Sequence, residues 1–154
     1  MPLLRPATNA DGPAIFNLVA GILVEFGLTP DPTGIDGDLK DIEANYLRGG
    51  GWFAVLEDET GAIVGSAGLF PIDAQTLELR KMYLHSSLRG RGWGRKLLLA
   101  ALAVARARGA RRVILETASR LTDAIALYER HGFTRYSPEH LAGRCDQAWI
   151  LTLS

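Results

Sequence analysis

The stretch Leu88–Lys96, LRGRGWGRK, sets glycines at 90, 92 and 94 among arginines at 89, 91 and 95, and the apolar run LLLAALAVA follows at once from Leu97. Upstream, TLELRKMYLH (residues 76–85) reads as a strand. The apolar run repeats at Leu97, Leu98, Ala101, Leu102 and Ala105, the spacing of one helix face. A strand therefore runs into the glycines and a helix runs out, so successive backbone amides can converge on one concavity backed by the positive end of the helix. That is an anion cradle. An ordinary helix start would favour Ser, Thr, Asp or Asn over three alternating glycines.

Spacing excludes two common phosphate motifs. The P-loop ends in Gly-Lys followed by Ser or Thr, whereas Gly94 is followed by Arg95 and Lys96. The dinucleotide fingerprint G-x-G-x-x-G fails because these glycines alternate strictly and do not follow the first strand of a parallel unit.

The strand before the cradle changes phase. Leu77 and Leu79 lie on one two-residue period and Met82 and Leu84 on the other, which a bulge or bend near Arg80 and Lys81 would reconcile. Working outward, LLRPAT forms a first strand, and Ile15, Leu18, Val19, Ile22 and Leu23 mark a helix that ends near Gly27. Leu39, Ile42 and Tyr46 mark a second helix. A hairpin turning at Glu59–Gly61 follows. Beyond the cradle helix come the strand RRVILET, the short helix TDAIALYERHG, the strand FTRYS and the closing strand QAWILTL. This order predicts one α/β (α+β) domain over residues 1–154, with helices packed on a mixed sheet.

Composition narrows the function classes. The 17 Lys and Arg are balanced by 17 Asp and Glu, so no global positive charge favours nucleic acid. Cys145 is the only cysteine, which allows no internal disulfide, and no Cys/His cluster has metal-ligand spacing. No run is apolar enough for a signal core or a membrane span, so the expectation is a soluble, cytoplasmic protein without metal, membrane or nucleic-acid partner.

R-x-x-G-x-G on Arg89, Gly92 and Gly94, with ELRKMYLHSSLRGRGWGRKLL around it and AIALYERHGF further on, strongly resembles the GNAT superfamily of N-acetyltransferases. The resemblance covers nearly the whole chain. It implies a mixed, mostly antiparallel sheet of about seven strands flanked by four helices, splayed where acyl-coenzyme A binds. It implies acetyl-CoA as cosubstrate, with pantetheine against the backbones of Met82 and Leu84 and across from Val113–Thr117. The pyrophosphate would lie on the amides of Arg89, Gly90, Arg91, Gly92, Trp93 and Gly94, with the Arg95 amide added and the Arg95 and Lys96 side chains contributing charge.

Acetyl transfer to an amine needs a proton acceptor for the amine and stabilisation of the departing sulfur. The resemblance places Glu78 as the base, directly or through water; Glu116 is the runner-up and Asp146 lies more remote in a loop, although Glu116 can instead pair with an arginine and Glu78 can belong to a solvent-facing charged edge. Tyr128 matches the tyrosine that approaches the coenzyme A sulfur, and a phenol protonated up to about pH 10 can donate to it. One departure stands out: Leu121 occupies the place of an asparagine that often contacts the coenzyme, leaving the hydroxyls of Thr117 and Ser119 as substitutes. Cys145, His85, His131 and His140 receive no proton-transfer role.

The acceptor site is expected between Phe26–Asp38, where Asp31, Asp36 and Asp38 can attract a cationic amine, and Pro138–Asp146. A small or amino-acid-like amine is the expected acceptor, and a homodimer is plausible. A noncatalytic acyl-CoA-binding domain is the alternative; it would need the cradle but neither Glu78 nor Tyr128.

Overall fold

The computed structural model describes residues 1–154. Ten regular elements are named here: β1 (Leu3–Pro6), α1 (Gly12–Glu25), β2 (Trp52–Glu57), β3 (Ile63–Asp73), β4 (Thr76–Leu84), α2 (Trp93–Ala107), β5 (Arg112–Thr117), α3 (Thr122–Arg130), β6 (Thr134–Tyr136) and β7 (Gln147–Thr152). The strands form one seven-stranded sheet in the order β1-β2-β3-β4-β5-β7-β6. Every neighbouring pair is antiparallel except β4 and β5.

Alternation along the strands sorts the core onto two faces. Phe53 and Val55 of β2 turn to α1, whose Ile15, Leu18, Val19, Ile22 and Leu23 are all buried as their helical spacing requires. On the other face, α2 buries Leu98, Ala101, Leu102 and Ala105, and α3 adds Leu127 and Tyr128, against Leu77, Leu79, Val113 and Leu115, while Leu97 of α2 packs with Leu56, Val64 and Ala67.

The second expected helix takes a different form. Ile35–Lys40 is a 3-10 turn and Glu43–Leu47 a π-helical turn. The wider turn lets Ile42 and Tyr46 both reach full burial, with the Tyr46 ring edge-on to Phe53 at 4.9 Å and to Phe70 at 5.5 Å. The Tyr46 hydroxyl then donates to Asp38, so the local winding follows tertiary demands rather than α-helical propensity.

Two features of β4 create the site. Its parallel pairing with β5 covers only Thr76↔Arg112, Leu77↔Val113 and Glu78↔Ile114; the strands then part, β4 running on to Leu84 and β5 to Thr117. Between Arg80 and Tyr83 the register against β3 shifts, and Lys81 sits at φ 56°. This is the expected bulge. It keeps Leu77, Leu79 and Met82 against the α2 side of the core. Arg80, Lys81 and Tyr83 consequently line the splayed cleft. A left-handed lysine costs about 1–3 kcal/mol. The buried Ser66 hydroxyl donates to the Lys81 carbonyl at 2.6 Å, which satisfies the acceptor that the bulge exposes.

Candidate active site

The parted strands open a cleft of about 1560 Å³ that runs from the α2 N-terminus across the sheet to the segment after α1. Its two ends are built differently.

At the end beside the α2 N-terminus the material is backbone. Gly90 (φ 75°) and Gly92 (φ 82°) hold left-handed conformations that L side chains rarely adopt, and a Cβ on either would stand in open space. Gly92 caps α2, yet no side chain caps the first amides of this 15-residue helix and no acidic residue lies in its first turn. Free amides, a positive helix end and two glycines under open space fit a diphosphate. Gly90, Gly92, Gly94 and Arg95 line the cleft, whereas Arg91 and Trp93 do not. Trp93 instead packs on the Leu56–Leu97 cluster, and the Lys96 ammonium lies 4.2 Å from its ring centre.

Arg89 reaches the cleft, but its side chain is already committed. The guanidinium makes a two-pronged contact with Glu25 at the end of α1 and donates to the Leu84 carbonyl at 3.1 Å. Arg120, in the β5–α3 loop, donates to the Gly27 carbonyl at 2.8 Å. Two arginines, one from each side of the splay, therefore hold the end of α1 over the cleft.

Met82, Leu84, Thr117, Leu121 and Tyr128 also line it. Ser119 does not: its amide and hydroxyl donate to Asp146 at 2.8 and 2.7 Å, beside a smaller neighbouring cavity. Its hydroxyl serves the loop, and Asp146 is tied down with it.

At the opposite end the material is side chain. Glu78 sits on the last paired rung of β4, nearly buried, in an ion pair with Arg80. Glu116, on β5, accepts the Ala142 amide at 2.8 Å through one oxygen and has no arginine partner. Tyr128 is buried, its ring 5.7 Å from that of Phe133. Its hydroxyl makes no hydrogen bond within the protein, and burial pushes the phenol well above its ordinary range, so it keeps its proton. Burial also raises the Cys145 thiol, with Glu116 adding repulsion, to about 11; at neutral pH it is not a thiolate nucleophile. His85 caps a turn by accepting from the Ser87 amide, and His131 bonds the Leu127 carbonyl.

The acidic residues after α1 are not an open lure for cations. Asp36 has no exposed side-chain surface; Arg144 donates to it through two bonds of 2.8 and 2.7 Å, and the Lys81 ammonium is 3.3 Å away. Lys81 also lies 3.3 Å from Asp38 and donates to the Ile35 carbonyl. Burial favours the neutral acid at Asp36, but Arg144, the Asp31 amide and Lys81 outweigh it and hold the carboxyl below its usual range. Asp31 accepts from the Gly34 and Ile35 amides and shapes the turn. Sequence reading missed this cluster, and also missed Tyr83, a second phenol, half-buried and lining the cleft. Its one sequence signal was the bulge, which puts Lys81 on the inner face.

No group of three His, Cys, Asp or Glu side chains is placed to hold a metal, and no helix is long and apolar enough to cross a membrane.

The sequence and fold have clear relatives. The uncharacterized N-acetyltransferase YjgM of Escherichia coli is 39% identical over 137 residues, which is 86% of this chain and 81% of that protein. A GNAT-family acetyltransferase from Staphylococcus aureus shares the fold with a TM-score of 0.93 over all of both chains, at 22% identity. The yncA acetyltransferase of Salmonella typhimurium, solved with its cofactor acetyl-CoA, superposes with a TM-score of 0.77 over 99% of this chain and 94% of its own, at 23% identity. The model of the acetyltransferase (GNAT) family matches residues 22–133, spanning β4, the glycine cradle and α3, and the chain belongs to that family.

Proposed function

We propose that the protein transfers the acetyl group of acetyl-CoA to the primary amine of a small, amino-acid-like molecule, with Glu78 as proton acceptor and Tyr128 as donor to the leaving sulfur. Family membership carries the enzyme class and the acyl donor. The single observation that carries the rest is topological: the cradle, Glu78 and Tyr128 open onto one cleft at the point where β4 and β5 part. Acetyl-CoA supplies an activated acyl carbon.

The chain's residues then have separate tasks. The amides of Gly90, Gly92, Gly94 and Arg95 hold the diphosphate and set the depth of the thioester arm. Glu78 takes the proton that the acceptor's ammonium must lose, directly or through water, so that nitrogen can form its bond to the acyl carbon. The carbon–sulfur bond breaks, and the electron pair leaves on sulfur. The Tyr128 hydroxyl, protonated and without another partner, donates to that sulfur as charge develops. The loops that carry Asp36 and Arg144 limit the acceptor's size.

A thiol-release assay with acetyl-CoA across amines, amino acids, aminoglycosides and peptides tests the reading. Glu78→Gln is expected to lower kcat about a hundredfold at neutral pH. Raising the pH should recover part of the loss, because more acceptor then arrives already deprotonated. A pH–rate profile superimposable on that of the wild type would remove Glu78 from the proton path.

A further inference from the structure

The acceptor end of the cleft holds three side-chain cations on or beside the bulge, and they are not equivalent. Lys81 is wedged between Asp36 and Asp38, with 4% of its side chain exposed. Arg144 spends both Nη groups on Asp36. Arg80 differs: its side chain is 31% exposed, it lines the cleft, and its only carboxylate contact is through Nε to Glu78. The Nη donors have no carboxylate partner; the Tyr46 hydroxyl, which donates to Asp38, lies beside the guanidinium. The guanidinium carbon lies 3.8 Å from the centre of the Phe70 ring, a surface that takes no hydrogen bonds.

A planar guanidinium whose Nη groups have no carboxylate partner is the donor arrangement best matched to a carboxylate. Here it touches the carboxylate assigned to the amine. An acceptor bearing an ammonium and a carboxylate on one carbon can therefore meet this ion pair with its own, ammonium to Glu78 and carboxylate to Arg80. A polyamine or a simple alkylamine would satisfy Glu78 alone and leave the Arg80 fork to water.

We propose that Arg80 is the specificity-determining residue of the acceptor site and that the acceptor is a free α-amino acid, or a derivative that keeps its α-carboxylate, recognised through the Arg80 guanidinium on Phe70. The inference rests on the proposed acetyl transfer and on the placement of Glu78. The bulge gives it a structural basis, since the same backbone kink that turns Lys81 into the buried cluster leaves Arg80 on the open side.

The test compares matched acceptors: a panel of α-amino acids, the primary amide of each, and the amine left when the carboxyl group of each is removed. The amides have the more easily deprotonated amines, so a preference for the acids runs against intrinsic reactivity. Wild-type kcat/KM should favour the preferred acid over its amide and its decarboxylated amine by about a hundredfold. In Arg80→Gln the preference should fall to within about tenfold, with the loss in the KM for the acid. Taking the ratio within each variant cancels any effect of the substitution on Glu78, which all three acceptors share. Arg80→Lys, which keeps the charge and loses the fork, should lie between them, and thermal melts confirm that each variant is folded.

Amides or decarboxylated amines acetylated as well as the acids by the wild type would overturn the carboxylate proposal while leaving acetyl transfer to amines intact. A preference that survives Arg80→Gln would make Arg80 a packing residue. Thiol release with none of the three classes would instead sink the proposed amine acetylation, and the acceptor inference with it.

Discussion

The two ends of the cleft are opposites in construction. The end proposed for the cofactor is made of amides, with glycines at left-handed angles under open space and an uncapped helix start, while its one motif side chain, Arg89, is committed to Glu25. The acceptor end is made of side chains drawn from distant points of the chain: Asp36 and Asp38 after α1, Glu78 to Lys81 on β4, and Arg144 before β7. A site built from backbone tolerates change in any side chain that leaves φ alone. A side-chain site can differ between relatives residue by residue. The first is therefore a conformational problem and the second an electrostatic one.

The largest effect that would break this contrast is expected at Asp36. Asp36→Asn leaves Lys81 and Arg144 short of a buried negative charge, and removing one partner of such a pair costs about 3–5 kcal/mol. The expected result is a large fall in Tm. The pH dependence sharpens it: because the folded carboxyl lies below its ordinary value, its contribution is complete above about pH 5 and drains away as pH falls through that lowered value. Wild-type Tm should fall more steeply on acidification than the variant's. Parallel curves would show that the charge at Asp36 contributes nothing to stability.

Gly92→Val tests the other end. At φ 82° the substitution meets backbone strain of about 1–3 kcal/mol, not a clash, since a Cβ there has no neighbour. Calorimetry should show acetyl-CoA affinity falling by about tenfold or more, the equivalent of about 1.4 kcal/mol, in a protein that still folds. Unchanged affinity in a folded variant would remove the cradle. A collapse in Tm as deep as that of Asp36→Asn would erase the distinction between the two ends.

The smallest effect is expected where the ends meet. Tyr128→Phe keeps the ring packed near Phe133 and removes a hydroxyl with no other partner, so stability should hardly change. Turnover should fall about tenfold, or about 1.4 kcal/mol in the barrier, with acetyl-CoA binding preserved. Steady-state kinetics with parallel binding measurements separate the outcomes; a loss explained wholly by weaker cofactor binding would reject the leaving-group role.

Some of this architecture was readable in the chain as written. The apolar spacing marked the buried faces of α1 and α2 residue by residue, because helical periodicity and burial are local consequences of the same geometry. The phase change from Leu79 to Met82 located the bulge, since a strand cannot bury both pairs on one face without an extra residue. The glycines between a strand and a helix marked the left-handed turns at Gly90 and Gly92 for a related reason: left-handed φ is a property of single residues, although Gly94 is already helical.

Tertiary structure decided what those signals could not carry. It put Trp93 and Arg91 outside the cleft, gave Arg89 to Glu25, and tied Ser119 to Asp146. It also rewound the expected second helix into 3-10 and π turns so that Tyr46 could reach Asp38. Above all, it closed Asp36, Lys81, Asp38 and Arg144 into a buried charge cluster and left the Arg80 Nη groups without a carboxylate partner beside it. Backbone conformation is written in residue type and spacing, whereas the partner of a charge depends on which distant segments the fold brings within a few ångströms, and no local pattern records that.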